Sequence, residues 1–202
     1  RPPRSTLFPY TTLFRSDAIT RLTQNGYRYI GMDHFAKHED ELSKAQIEGT
    51  LQRNFQGYST KAECDMVALG VSAISKIGSA YACNPRELDD WAAAISAGRL
   101  ATNRGYLLNA DDELRRYVIM QIMCNFELRK KDVEERFGIN FDETFGFELS
   151  KMKPYVHHEL VELYDDRLVV LPKGKIFVRA VAMQFDRYLR ESNRAGGYSR
   201  IA

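Results

Sequence analysis

Four glycines constrain the fold of this chain most, because each one follows a short segment with its own hydrophobic pattern. Glycine ends helices readily, since it adopts the left-handed backbone that closes them. Helical patterns precede three of these residues and a strand-like apolar run precedes the fourth; the glycines are Gly26, Gly49, Gly98 and Gly78. Short segments that change between helical and strand-like patterns predict an α/β fold.

The apolar runs of the first half predict strands. Residues 27–32 (YRYIGM) follow a helical segment and have strand length. Residues 59–77 contain the run MVALGVSAI, whose continuous apolar character predicts a buried parallel strand, although a helix stays open for part of it. Helices are predicted at 17–25, 40–49 and 84–97.

The composition changes near residue 109. Asn109 and the acidic residues after it predict a helix to about Phe126, with apolar side chains at helical spacing. Two further helices, at 131–137 and 143–152, precede two short strands around the turn Asp165-Asp166-Arg167. Three helices followed by a β-hairpin are typical of a winged helix. A single amphipathic helix is predicted at 175–190.

The segment from Arg1 to Ser16 fits neither half. It has three prolines, no acidic residue and no hydrophobic period, and it lacks the apolar core of a signal peptide. We expect translated adaptor sequence here, with a transit peptide as the weaker alternative. The predicted domains are therefore a non-native or disordered segment at 1–16, a domain at 17–108 and a mostly helical, winged-helix-like domain at 109–202.

Charge and cysteine content exclude several classes of protein. The net charge is +2, and residues 111–202 carry sixteen basic and sixteen acidic side chains, so no nucleic-acid partner is expected. The three cysteines, Cys64, Cys83 and Cys124, are widely spaced, which argues against a disulfide framework or a metal site and fits a reducing, cytoplasmic compartment. The apolar runs are too short to span a membrane.

Three segments could carry chemistry. Residues 53–58 (RNFQGY) combine a cation, two amides, two aromatic rings and a glycine, as a small-molecule pocket does; the alternative is a polar turn with its rings in the core. Residues 70–75 (GVSAIS) are small enough for close approach to a ligand or for tight packing. Asp33 and His34 follow a predicted strand, where a site or a helix cap is possible, but a metal role is not expected.

Several of these motifs together resemble one family. The chain is similar, in order from about residue 17 to residue 200, to the C-terminal part of the oxygen-independent coproporphyrinogen III oxidases. The segments that carry the resemblance are GYRYIGMDHFA, RNFQGYST, GVSAIS, the Tyr and Asn of YACN, DDELRRYVIMQIMCNF and FDRYL…YSR. The resemblance implies that residues 17–108 are the C-terminal part of an incomplete parallel (β/α) barrel.

The resemblance also implies an activity. These enzymes of haem biosynthesis use a [4Fe–4S] cluster to generate a 5′-deoxyadenosyl radical from S-adenosylmethionine and convert two propionates of coproporphyrinogen III to vinyl groups. The C-x-x-x-C-x-x-C loop that holds the cluster is absent here, so we expect a fragment that is inactive alone. Phe55, Gln56 and Ile74 match positions at a second S-adenosylmethionine site. Asp33, His34, Arg53 and Tyr58 are unassigned wall or substrate residues, and no catalytic residue is identified.

Two rival functions stay open. A haem-trafficking protein of the same superfamily would share the barrel without the oxidase activity. A winged-helix interaction or DNA-binding module is disfavoured by the balanced charge. The expected partners are coproporphyrinogen III, S-adenosylmethionine and an electron donor, with no membrane, and a monomer is expected.

Overall fold

The computed structural model describes residues 7–61 and 64–191, which form two compact units. The first unit combines residues 1–62 with residues 115–202, and the second comprises residues 63–114. These units are defined by contacts between residues in space. The domain boundary predicted between residues 108 and 109 stays a prediction. None of the helices in the described ranges has both the length and the hydropathy needed to cross a membrane.

Helices supply most of the regular structure in the described ranges. The α-helices are α1 (Leu7–Gln24), α2 (Glu41–Glu48), α3 (Leu88–Ser96), α4 (Ala110–Asn125), α5 (Lys130–Phe137), α6 (Phe141–Thr144), α7 (Gly146–Ser150), α8 (Lys153–His157), α9 (Val178–Ala182) and α10 (Arg187–Glu191). Two 3-10 helices, Pro172–Phe177 and Met183–Phe185, flank α9.

Within residues 7–61 and 64–191, the strands are short and form four small sheets. They are β1 (Tyr27–Gly31), β2 (His34–Lys37), β3 (Gln52–Arg53), β4 (Tyr58–Ser59), β5 (Ile74–Ile77), β6 (Ala80–Cys83), β7 (Arg104–Leu107), β8 (Glu127–Arg129), β9 (Val161–Leu163) and β10 (Arg167–Val170). The sheets have the strand orders β1-β2, β3-β4, β5-β6-β7 and β8-β10-β9. Every strand pair in the described part of the chain is antiparallel.

The mixed α/β class is confirmed, but the parallel strand predicted at 59–77 is wrong. Only β5 forms a strand in the run MVALGVSAI and its continuation, and Leu69 is 88% exposed. The backbone turns at Gly70 (φ 100°) and Ser72 (φ 56°), and Asn84 Nδ2 donates a hydrogen bond to the Gly70 carbonyl at 2.8 Å. This turn folds the apolar run back, and β5, which begins at the end of the run, pairs with β6 in the antiparallel sense.

The segment predicted to be non-native or disordered is partly helical. Residues 7–16 belong to α1, while residues 1–6 lie outside the described residues, as does the YSR motif at 198–200. Pro9 is tolerated because it lies in the first turn of the helix, where the missing N–H has no acceptor to bond. The non-native origin of the segment stays a prediction.

The helix predicted from residue 109 is confirmed, because local signals fix its start. Asn109 Oδ1 accepts a hydrogen bond from the Asp112 backbone N–H at 2.9 Å, and the Asp112 carboxylate accepts one from the Asn109 N–H at 3.0 Å. This reciprocal pair satisfies two donors that the helix leaves without partners. The predicted hairpin is also confirmed as β9 and β10, with β8 as an additional strand beside it.

Other helices differ from their predictions. The helix predicted at 143–152 is divided into α6 and α7 around Phe145. The single helix predicted at 175–190 is wrong, since two α-helices alternate there with 3-10 turns. Asp186 interrupts the run, because its backbone is extended. Its Oδ1 accepts hydrogen bonds from the backbone N–H groups of Tyr188 and Leu189 at the start of α10.

Aromatic packing and one buried amide stabilise the first unit. Phe145 is fully buried between the rings of Phe141 and Phe185, at centroid distances of 4.9 and 5.5 Å. Gln46 of α2 is also buried, and its Nε2 donates to the carbonyls of Ile30 and Cys124 at 2.6 and 3.1 Å. Gln46 therefore connects β1, α2 and α4 through hydrogen bonds.

Candidate functional site

The turn between β3 and β4 presents two of the predicted ligand residues to solvent. Asn54 Oδ1 accepts hydrogen bonds from the backbone N–H groups of Gln56 (2.8 Å) and Gly57 (3.2 Å), and the Asn54 N–H donates to the Gly57 carbonyl at 2.9 Å. These bonds hold the turn in one conformation. Phe55 is 56% exposed and Gln56 is exposed, so neither side chain is part of the core.

A cluster of polar and aromatic side chains lies beside this turn. The rings of His34, from the start of β2, and Tyr58, from β4, meet edge to face at 5.1 Å. The Tyr58 hydroxyl donates a hydrogen bond to the Met123 carbonyl of α4 at 3.3 Å. The Arg53 guanidinium carbon is 5.7 Å from the centre of the Tyr58 ring. The structure thus brings together three of the four residues left unassigned in the sequence.

Glycine is required where this cluster meets the backbone. Gly31 has φ 145° and Gly57 has φ 143°, in the region that side chains rarely adopt. A Cβ on Gly31 would overlap the Tyr58 hydroxyl, and one on Gly57 would lie 3.1 Å from His34 Nε2. Both glycines allow the two hairpins to approach each other closely.

Asp33, the fourth unassigned residue, lies in the turn between β1 and β2. A carboxylate oxygen of Asp33 is 2.8 Å from His34 Nδ1, and the Asp33 side chain is 85% exposed. The strand before this turn pairs with β2 as a hairpin. Asp33 and His34 therefore follow a strand as predicted, but the strand belongs to a hairpin.

Burial disfavours ionisation of two tyrosines and one cysteine in and beside the cluster. It raises the pKa of the Tyr58 hydroxyl far above its usual value, and it raises the pKa of Tyr29 to about 12. Burial likewise raises the pKa of the Cys124 thiol to about 12, an effect that the charge of Arg53 opposes. At neutral pH the cluster therefore presents neutral hydroxyl and thiol groups around one arginine.

Ile74, the third predicted ligand residue, is the first residue of β5 in the second unit and is partly buried. The loop before β5 is held by hydrogen bonds from the Ser72 N–H to the Pro85 carbonyl (2.7 Å) and from the Asn84 N–H to the Ala73 carbonyl (2.9 Å). Phe55 and Gln56 belong to the first unit, and a role for all three residues at one ligand stays a prediction.

The cysteines of the described chain do not fit an iron–sulfur cluster. Cys64 is exposed, Cys83 is partly buried and Cys124 is buried. No group of three or more histidine, cysteine or carboxylate side chains that could hold a metal ion occurs in the ranges that the structure describes. Because such clusters are held by several thiolates, these residues cannot supply their ligands.

The sequence patterns did not identify every residue around Arg53. Met120 and Met123 belong to a predicted helix, and Arg179 and Met183 to another, so each carried only the signal of helix periodicity. Together with Arg53 they line one cavity of about 250 Å³. The methionines resemble part of an ordinary apolar helix face, and only the fold shows that they lie around two cations, Arg53 and Arg179.

Comparison with known proteins gives a consistent result. Residues 108–177 match the family described as the HemN C-terminal domain. Over 174 residues, 86% of this chain and 38% of the relative, the chain is 46% identical to the oxygen-independent coproporphyrinogen III oxidase of Pseudomonas aeruginosa. The enzyme of the same name from Escherichia coli is 41% identical over 92% of this chain and 40% of its own length.

A solved structure agrees with these relatives. Coproporphyrinogen III oxidase (HemN) from Escherichia coli, described as a radical SAM enzyme, has a TM-score of 0.82 with this chain at 41% identity. The match covers 86% of this chain and 40% of that one. The chain thus spans about two fifths of the length of these relatives.

Proposed function

Because the chain belongs to the family of oxygen-independent coproporphyrinogen III oxidases, we propose that the protein containing it converts two propionates of coproporphyrinogen III to vinyl groups. The product would be protoporphyrinogen IX, and the chemistry an oxidative decarboxylation. The observation that carries the proposal is the match to the E. coli radical SAM enzyme, with 41% identity and a TM-score of 0.82.

Within this activity, the described residues bind and orient rather than react. S-adenosylmethionine, when bound, supplies the radical chemistry, and cofactors of this kind leave positioning and exclusion of water to the protein. The exposed Phe55 ring and Gln56 amide fit a contact with S-adenosylmethionine, because a rigid turn presents both side chains to solvent. A contact from Ile74 to the same cofactor is supported by resemblance alone.

The second half of the chain supports a winged-helix-like arrangement. Helix α4 is followed by β8, then by α5 and the shorter helices, and finally by the β9–β10 hairpin that pairs with β8. The interruption between α6 and α7 and the burial of Glu148 leave no continuous charged helix there for a DNA groove. We therefore favour a packing role over a nucleic-acid partner.

The oxidase is preferred to the haem-trafficking alternative because the relatives described above carry the oxidase name. The electron donor and the monomeric state stay predictions.

Anaerobic turnover by the full-length protein tests the proposed function. Coproporphyrinogen III, S-adenosylmethionine and a chemical reductant should yield protoporphyrinogen IX, measured by chromatography after oxidation to the porphyrin. Gln56→Ala should lose a polar contact of about 1–3 kcal/mol and lower turnover roughly 5- to 150-fold, while the iron–sulfur absorbance stays.

Gln52→Ala is the matched control, since Gln52 lies on β3 of the same hairpin. Equal losses of turnover in the Gln52→Ala and Gln56→Ala variants would contradict the proposed contact between Gln56 and S-adenosylmethionine. Absence of conversion by the unaltered protein, with its cluster intact, would contradict the proposed function itself.

A further inference from the structure

The cavity that contains Arg53 has the chemistry of a receptor for an aliphatic carboxylate. Its walls come from β3, α4 and the segment from α9 to α10, all in the first unit. Most of the wall is apolar, with the thioethers of Met120, Met123 and Met183 prominent. Such a surface accommodates a short hydrocarbon chain.

Arg53 is the polar feature that points to a ligand. Its Nε is buried and has no hydrogen-bond partner in the described part of the chain. A buried donor without an acceptor is costly, and more so when it carries a charge. Because Arg53 also lines the cavity, its guanidinium group would form a charge-assisted hydrogen bond with an anionic oxygen placed there.

The charge of the cavity favours an anion over a zwitterion. Arg53 and Arg179 contribute two positive charges, and Asp186 contributes one negative charge. The Asp186 carboxylate already accepts hydrogen bonds from the backbone N–H groups of Tyr188 and Leu189. The amino-acid end of S-adenosylmethionine carries an ammonium group beside its carboxylate, which the two arginines would repel.

The size of the cavity limits what enters it. Pockets that enclose whole drug-sized molecules have roughly 300–1,000 Å³, and this cavity has about 250 Å³. A complete tetrapyrrole would not fit, but one of its side chains would. A propionate combines the two features that the walls require, because it places a carboxylate at the end of a two-carbon chain.

We infer that this cavity binds one propionate of the tetrapyrrole substrate, with Arg53 holding the carboxylate and the methionines contacting its carbon chain. The inference rests on the proposed function, and it adds a substrate-binding residue to it. Arg53 is held beside Tyr58, so the propionate would be bound next to the turn that presents Phe55 and Gln56.

Binding of coproporphyrin III, the stable oxidised form of the substrate, tests the inference directly. Fluorescence titration of the full-length protein should show that Arg53→Met weakens binding about 10- to 100-fold, the effect of losing a hydrogen bond between charged groups. Arg53→Lys should restore part of the affinity. The affinity for S-adenosylmethionine, measured by calorimetry, should not change.

Arg136→Met is the matched control. The Arg136 guanidinium also lies over a tyrosine ring, at 4.9 Å from Tyr117, but Arg136 is exposed on α5 and does not line the cavity. This variant should bind coproporphyrin III as the unaltered protein does. Equal binding by the Arg53→Met and Arg136→Met variants would overturn the inference, as would a loss of S-adenosylmethionine affinity alone.

A second measurement needs no variant and therefore does not depend on correct folding of Arg53→Met. Butanedione modifies accessible arginines, and mass spectrometry of the unaltered protein identifies which ones react. Coproporphyrin III should protect Arg53 and leave Arg136 reactive; protection of neither residue would overturn the inference. If the Arg53→Met variant turns over substrate as the unaltered protein does, the inference fails and the proposed function stands. If binding of coproporphyrin III depends on Arg53 but the unaltered protein shows no turnover, only the proposed function is contradicted.

Discussion

Neutralising Glu148 should destabilise the first unit far more than neutralising an exposed carboxylate. The Glu148 side chain is 3% exposed, and its Oε1 lies 2.8 Å from Arg115 and 3.2 Å from Arg190. The Arg115 side chain is itself only 12% exposed. Glu148→Gln would therefore remove a buried negative charge that contacts two guanidinium groups, at a cost of about 3–5 kcal/mol.

The assay is urea unfolding of the chain, followed by circular dichroism. With a slope of about 1–3 kcal/mol per molar urea, this loss lowers the midpoint by at least about 1 M. The matched control is Glu135→Gln, since Glu135 contacts Lys131 at 3.4 Å with both side chains exposed, and such a pair contributes at most about 1 kcal/mol. Equal midpoints for Glu148→Gln and Glu135→Gln would refute the reasoning.

A double variant separates charge from packing. Replacing both Arg115 and Glu148 by methionine removes the buried charges together and leaves Arg190, whose side chain is 42% exposed, able to reach water. The double variant should therefore be more stable than the sum of the single substitutions predicts, by about 1–3 kcal/mol. Strict additivity would show that the two side chains do not act as a pair.

Two further predictions concern steric overlap at glycine positions and the dependence of stability on pH. In the same assay, Gly174→Ala should lower the free energy of unfolding by about 1–3 kcal/mol, because the new Cβ would overlap the Leu160 carbonyl. Gly146→Ala places its Cβ in open space and should be neutral or stabilising. Similar effects of the two substitutions would contradict the overlap. Because burial raises the pKa of the Cys124 thiol from 9.0 to about 12, ionisation on unfolding lowers stability as the pH rises above 9. Cys124→Ala should reduce the loss between pH 9 and 10 by about 1 kcal/mol, and unchanged pH dependence would show that the thiol is not protected.

Elements with strong local signals could be predicted from the sequence. Helix α2 has Asp40 as its N-cap, with Oδ1 accepting from the Leu42 N–H, and Gly49 in the left-handed conformation at its end. Helix α5 likewise ends at Gly138 with φ 65°. In both cases the residues that fix the boundary are neighbours in the sequence, so a pattern contains the necessary information.

Elements that depend on partners far away in the sequence could not be predicted from it. Strand β8 has three residues and is defined by its pairing with β10, about forty residues later in the chain. Gln46 lies on a polar helix and has no local feature that indicates burial, yet its amide connects two carbonyls that are far apart in the sequence. For the candidate site, the sequence indicated the turn around Phe55 but not the cavity beside Arg53, which α4 and α9 complete.

The discontinuous composition of the first unit has a consequence for synthesis on the ribosome. The Tyr58 hydroxyl and the Gln46 amide find acceptors 65 and 78 residues later in the chain. At about 5–20 residues per second, these acceptors are synthesised roughly 3–16 s after their donors. Two-stranded hairpins such as β1–β2 are at best marginally stable alone in water. These two hydrogen bonds therefore form only after α4 has left the exit tunnel, so the two segments of the first unit are joined late in synthesis.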